Sequence, residues 1–162
     1  MSAPERRAGL AACPFFEGLG PEALDHLAEV CTLRRVRQGE TVIREGEAGD
    51  SLFVIVEGRV RTQKRTPSGD SWTVRFHPKG GVFGELSLLD RTLRSATVVA
   101  EADSTFLVID REGFHAFGDR NPAAGLLVTR RLAERLAVRL RRANEDVVTL
   151  FSALVHEVER KL

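Results

Sequence analysis

Between Thr32 and about Ile109, brief runs rich in β-branched and aromatic residues recur between turn residues. The runs are "TLRRVR", "ETVIRE", "SLFVIVEG", "RVRTQKR", "SWTVRFH", "SATVVA" and "TFLVID", punctuated by Gly39, Gly46, Gly49, Gly58, "TPSGD" and "HPKGG". Many short strands at even spacing predict a barrel or a sandwich. Within them "SLFVIVEGRVRTQKR" is apolar on both faces at first and then alternates. That is the pattern of a strand that leaves the core and turns at Glu57-Gly58. The "TPSGD" segment, with Pro67 and Gly69, predicts a solvent-facing hairpin.

Outside this region the period changes. "PEALDHLAEV", Pro21 to Val30, places Leu24, Leu27 and Ala28 on one face, with Cys31 next in line, and predicts a short amphipathic helix. Pro21 falls in the first turn, where its missing N–H does no harm. After "DREGFHAFGDRNP" the pattern becomes helical again, with no proline beyond Pro122 and no glycine beyond Gly125, and predicts one long helix. On it Ala133, Leu136, Leu140, Ala143, Val147, Leu150 and Leu154 step alternately by 3 and 4, a heptad seam. Two arrangements fit the seam: a helix lying on its own barrel, or a two-stranded dimer contact. Val148, Phe151, Val155 and Val158 widen the apolar stripe beyond what a simple two-helix seam needs.

Composition narrows the class. With 162 residues, 43% apolar and 29% charged, the chain has the make-up of one globular domain plus a tail. Lys and Arg number 24 against 23 Asp and Glu, which argues against a surface built mainly to hold nucleic acid. Cys13 and Cys31 form no CxxC, and His26, His77, His115 and His156 are scattered singly. Metal ligation and a metal-dependent barrel enzyme, such as an isomerase or dioxygenase, are therefore disfavoured. The N-terminus lacks the apolar segment of a signal peptide, and no apolar run reaches the length of a membrane span, so the expected location is the cytoplasm.

The chemistry concentrates in "GGVFGELSLLDRTLRSATVV", Gly80 to Val99. It reads as a strand, a glycine turn, a short helix Glu85 to Leu89, a loop, and a returning strand from Arg94 or Ser95. The N–H groups of Gly84, Glu85 and Leu86 lack intrahelical partners and converge at the positive end of the local dipole. The returning strand brings Arg94 and Ser95 to the same point. Arginine offers a planar fork of donors matched to phosphate. Glu85 would repel a phosphate, but it makes sense as an acceptor for a sugar hydroxyl, and phosphate with sugar spells nucleotide. A plainer reading makes Glu85 a helix N-terminal charge and pairs Arg94 with Asp90 on the surface.

The stretch "FGELSLLDRTLRSATVVA" resembles the phosphate-binding cassette of cyclic nucleotide-binding domains, the family found in cyclic-AMP receptor proteins, protein kinase regulatory subunits and cyclic nucleotide-gated channels. "FFEGLGPEALDHLA", "GETVIREGEAGDSLFVIVEGRV" and "LVIDREGF" extend the resemblance from about Phe15 to Leu140. It implies a mainly β fold with flanking helices: a jelly-roll-like β-roll of about eight strands, a short N-terminal helix, a cassette helix and a long C-terminal helix. Residues 1–122 would form the N-terminal helix and roll, and 123–162 the helix that caps the base and dimerises.

The ligand implied is cAMP or cGMP, with no metal and no catalysis. Arg94 would pair with the cyclic phosphate and Glu85 would accept from the ribose 2′-hydroxyl. The N–H groups of Gly84 to Leu86 and of Ala96, with the Ser95 hydroxyl, would complete the phosphate shell, and Phe83 and Ser87 belong to the same binding set. Arg139 and Leu140 would face the purine; they are not the hydroxyl pair that reads adenine in the cyclic-AMP receptor protein, so either base is admitted. Leu93 stands where the family often has proline, which removes no donor. The partners implied are a second copy of the chain through residues 126–158 and a protein effector. DNA is not expected as a partner, since bacterial regulators of this kind append a winged helix-turn-helix after the long helix and this sequence ends at Leu162. The competing expectation is a roll that has lost its nucleotide and serves only for dimerisation.

Overall fold

In the computed structural model, which describes residues 1–90 and 92–161 (Lys161 by its backbone alone), the short apolar runs become eight strands. They are β1 (Thr32–Val36), β2 (Thr41–Ile43), β3 (Ser51–Glu57), β4 (Arg59–Arg65), β5 (Ser71–Pro78), β6 (Val82–Phe83), β7 (Thr97–Ala100) and β8 (Ser104–Asp110). Two four-stranded sheets result, ordered β1-β8-β3-β6 and β2-β7-β4-β5, with antiparallel pairing throughout. Their inner faces share one core. The first sheet supplies Val36, Phe53, Ile55, Phe83 and Phe106, and the second supplies Val42, Ile43, Val60, Val98 and Ala100. Full burial of each large member stabilises the roll by about 1.5 to 3 kcal/mol.

The turn at Glu57-Gly58 carries the chain from the first sheet to the second. Gly58 has φ +82°, and a Cβ there would sit 2.5 Å from the Asp103 carbonyl oxygen, so both backbone conformation and space demand glycine. The "TPSGD" hairpin joins β4 to β5, with the Thr66 N–H donating to the Asp70 carbonyl at 2.8 Å. β5 is an edge strand, and its alternate residues Trp72, Val74 and Phe76 face solvent.

The helices are α1 (Ala3–Ala11), α2 (Pro21–Val30), α3 (Glu85–Asp90), α4 (Arg111–Arg120) and α5 (Pro122–Lys161), with a 3₁₀ turn at Pro14–Phe16. α2 buries Ala23, Leu24, Leu27 and Ala28, the face expected from its spacing. α1 is an element that the periodicity does not signal, because only Leu10 is buried on it. Its start is fixed by a capping box, in which Ser2 Oγ accepts from the Glu5 N–H and the Glu5 carboxylate accepts from the Ser2 N–H. α4 also goes unsignalled, since it contains Gly113 and Gly118 and buries Phe117 alone. Asp110 caps it by accepting from the Gly113 N–H at 2.7 Å.

α2 and the end of α4 are tied together: Arg120 donates to Glu29 at 2.7 Å, and His26 Nδ1 stands 3.0 Å from Asn121 Oδ1. Both cysteines are buried thiols; burial pushes Cys31 up to about 12, against a smaller opposing pull from Arg6, which makes it unreactive at neutral pH.

The chain divides into two compact units, Met1–Leu126 and the remainder from Leu127. The second unit is a continuation of α5 whose Leu140, Val147, Leu150 and Leu154 are exposed, as are Val148, Phe151 and Val158 beside them. Leu162, the last residue of the expected C-terminal segment, and Arg91, in the loop before Arg94, lie outside the described residues. Among the described residues no helix is long and apolar enough to cross a membrane.

Candidate functional site

The cassette begins where β6 ends. Phe83 is buried and stacks on Phe53 with ring centroids 4.9 Å apart and planes 8° from parallel, and Phe106 meets both rings edge-on. Gly84 then turns the chain at φ +82°. A Cβ at Gly84 would stand 2.7 Å from the Ser51 carbonyl oxygen and 3.2 Å from the Phe53 ring, so only glycine lets the cassette approach β3 this closely. α3 follows at once, with Glu85 as its first residue. Glu85 and Ser87 are buried, at 4% and 2% exposure, while Leu86 is half-buried. The first N–H groups of this turn have no intrahelical partner.

Arg94 comes back to the same place, at 8% exposure. Its Nη1 donates to the Ser51 carbonyl at 2.9 Å and to the Gly84 carbonyl at 3.1 Å, so the arginine holds the end of β3 and the glycine turn together. Its Cζ lies 5.7 Å from the centre of the Phe53 ring. A side chain at Gly49 would overlap this guanidinium, which explains the glycine there. Burial lowers the pKa of Arg94 and the nearby Arg34 acts in the same direction, while Asp50 opposes both. A desolvated guanidinium of this kind interacts strongly with an anion.

The surface pairing of Arg94 with Asp90 is not the arrangement found. Asp90 instead accepts from the Thr92 N–H at 3.1 Å and from Thr92 Oγ1 at 2.8 Å, and these bonds hold its carboxyl below the usual carboxylate range. The returning strand begins at Thr97 rather than at Arg94 or Ser95. The reason is local: the Arg94 N–H donates to the Glu47 carbonyl and its carbonyl accepts from Gly46, so the Arg94 backbone pairs with the β2–β3 turn. Ser95 is exposed and Ala96 half-buried at this bend.

The structure thus gathers Phe83 to Ser87 and Arg94 into one place, with Ser95 and Ala96 at its rim. Arg139 and Leu140 belong to the second unit, where Arg139 is half-buried and Leu140 exposed. Four contributors escape the sequence reading: Gly49, the Ser51 carbonyl, Phe53 and Arg111. Arg111 donates to the Ser87 carbonyl and so ties α3 to the start of α4. Beside it an open cleft of about 530 Å³ is lined by Gly49, Asp50, Thr92, Leu93, Arg111 and Glu112. The stretch "GEAGDSLF" holds a usable signal, a glycine two residues ahead of a strand, but the acceptor is a backbone atom to which residue identity is blind.

Residues 33–121 match the sequence model of the cyclic nucleotide-binding domain family. The chain is 37% identical over 134 residues to the cyclic AMP receptor protein of Thermus thermophilus, covering 83% of this chain and 60% of that protein. It is 37% identical over 108 residues to cGMP-dependent protein kinase isozyme 1 of Drosophila melanogaster, covering 65% of this chain and 14% of the kinase. The crystal structure of the Thermus thermophilus catabolite activator protein superposes with a TM-score of 0.77 at 36% identity, over 85% of this chain and 62% of that one. The chain therefore spans less than two thirds of the length of each of these three relatives.

Proposed function

The chain belongs to the cyclic nucleotide-binding domain family, and on that premise we propose that it is a sensor whose roll takes up cAMP or cGMP and whose long helix reports the bound state to a protein effector. It binds rather than catalyses. The observation that carries the reading is the burial of both an arginine and a glutamate at one glycine turn, the arginine donating to the Gly84 carbonyl next to Glu85. Arg94 supplies the cation for the cyclic phosphate, and the N–H groups of Gly84, Glu85, Leu86 and Ala96 with the Ser95 hydroxyl add neutral donors. Glu85 accepts from the ribose 2′-hydroxyl, and Phe83 and Ser87 shape the floor. The residues fit the ligand: Gly49 and Gly84 leave the space around the guanidinium that side chains would fill.

In this reading residues 1–122 hold the ligand, while 123–162 cap the base and pair with a second copy through 126–158. Arg139 and Leu140 face the purine. Since neither carries a hydroxyl, base choice is left to shape and to the guanidinium, and relatives named for cAMP and for cGMP both match. A response in the helix requires that ligand bind its two arrangements with different affinity.

Glu85→Ala is expected to weaken cyclic nucleotide binding by about 1 to 3 kcal/mol, the range for losing a hydrogen bond to a charged group, moderated by relief of repulsion toward the phosphate. Titration of the folded variant against the parent reads this directly. Equal affinity in the two would remove Glu85 from the sugar site.

A further inference from the structure

We propose that Arg34, on β1, is a second cation of the anion site, drawing the nucleotide phosphate toward Arg94 and adding to its affinity. The proposal rests on the cyclic nucleotide reading of the Arg94 site and extends it to a residue outside the cassette.

The sheet register places Arg34. It pairs with Phe106 of β8, and Phe106 pairs with Ile55 of β3, so the three side chains leave the same face of the sheet. Phe106 and Ile55 are buried in the core between the sheets, and Arg34 therefore faces inward along the roll although it is itself exposed. Its neighbour Arg35 belongs to the opposite face by the two-residue period of a strand. The Arg34 Cζ lies 5.8 Å from the centre of the Phe53 ring, and the Arg94 Cζ lies 5.7 Å from the same centre. Phe83 stacks on that ring and Phe106 meets it edge-on, and both guanidinium groups lie against the same ring.

The two cations differ in what they already hold. The Arg94 side chain is fastened to two backbone carbonyls, whereas the Arg34 side chain makes no hydrogen bond or ion pair among the described residues. Its only fixed contact is the ring, an interaction that holds a guanidinium in place without neutralising it. Like charges this close repel in the free protein, and the field of Arg34 reaches Arg94 against an opposing one from Asp50. An arriving phosphate is attracted by both cations and offsets their mutual repulsion. Because Arg34 is wet, its share is a screened one that acts on the approach of the ligand as much as on its final grip.

The test is titration of the purified chain with cAMP and with cGMP, comparing the parent with Arg34→Gln and Arg34→Lys at low and at high ionic strength. Arg34→Gln is expected to bind about three- to tenfold more weakly at low salt, with a slower association rate, and the gap is expected to close at high salt. Arg34→Lys keeps most of the parent affinity, because the effect is one of charge. Thermal unfolding of the variants is expected to match the parent, since the side chain is exposed. A parent that binds and an Arg34→Gln variant that binds equally well at low salt overturns this assignment alone. A parent that binds neither nucleotide overturns the nucleotide reading and this assignment with it.

Discussion

Arg94→Ala is expected to weaken cyclic nucleotide binding by about 2 to 5 kcal/mol, the cost of leaving a desolvated phosphate without its charged partner. That is on the order of a thirtyfold to several-thousandfold loss in affinity. Two features of the site set the effect above that of Glu85→Ala. Arg94 is a buried residue whose charge is partly desolvated, and its guanidinium is oriented in advance by the Ser51 and Gly84 carbonyls. The same bonds carry a second consequence, since truncation strips two carbonyls of their donor and costs stability of roughly 1 to 3 kcal/mol. Binding must therefore be read alongside a thermal melt. Arg94→Lys separates charge from geometry, because a lysine retains the cation and loses the fork. A folded Arg94→Ala protein with parental affinity would place the phosphate elsewhere.

The double variant Leu140→Glu, Leu150→Glu is expected to convert a dimer into a monomer. Leu140, Val147, Leu150 and Leu154 follow the heptad step along α5, and each is about two-thirds exposed in a single copy of the chain. Large apolar side chains repeated at this period on a charged helix are stabilised when a second such helix covers them, at about 1.5 to 3 kcal/mol for each one fully buried. Glutamate at two layers of the seam sets four carboxylates against one another without partners, which the remaining layers do not offset. Sedimentation velocity at micromolar concentration is the measurement. A monomeric parent, or a variant that still sediments as a dimer, would overturn the seam.

What was legible in advance was legible for physical reasons. The strands announce themselves because a buried inner face imposes alternation, and the cassette because a glycine turn, a glutamate and an arginine at that spacing serve few other purposes. α1 and α4 stayed hidden because each buries one large side chain, so neither writes a periodic stripe. β7 starts two or three residues later than the sequence pattern predicts, because the Arg94 backbone is claimed by the β2–β3 turn, a long-range pairing that local propensity does not encode. The partners of Arg94 went unseen for a related reason: two are main-chain carbonyls and one is a ring three strands distant in sequence. In "TLRRVR" two arginines stand side by side, and only the register against β8 tells which of them faces the roll.

Calorimetric titration of the purified chain with cAMP and, separately, with cGMP tests the central claim most directly. The account predicts saturable binding of at least one of them, with one site per chain, abolished or strongly weakened in Arg94→Ala. Absence of heat, together with absence of any thermal stabilisation, with both nucleotides at about 1 mM would contradict it and leave the roll as an interaction module.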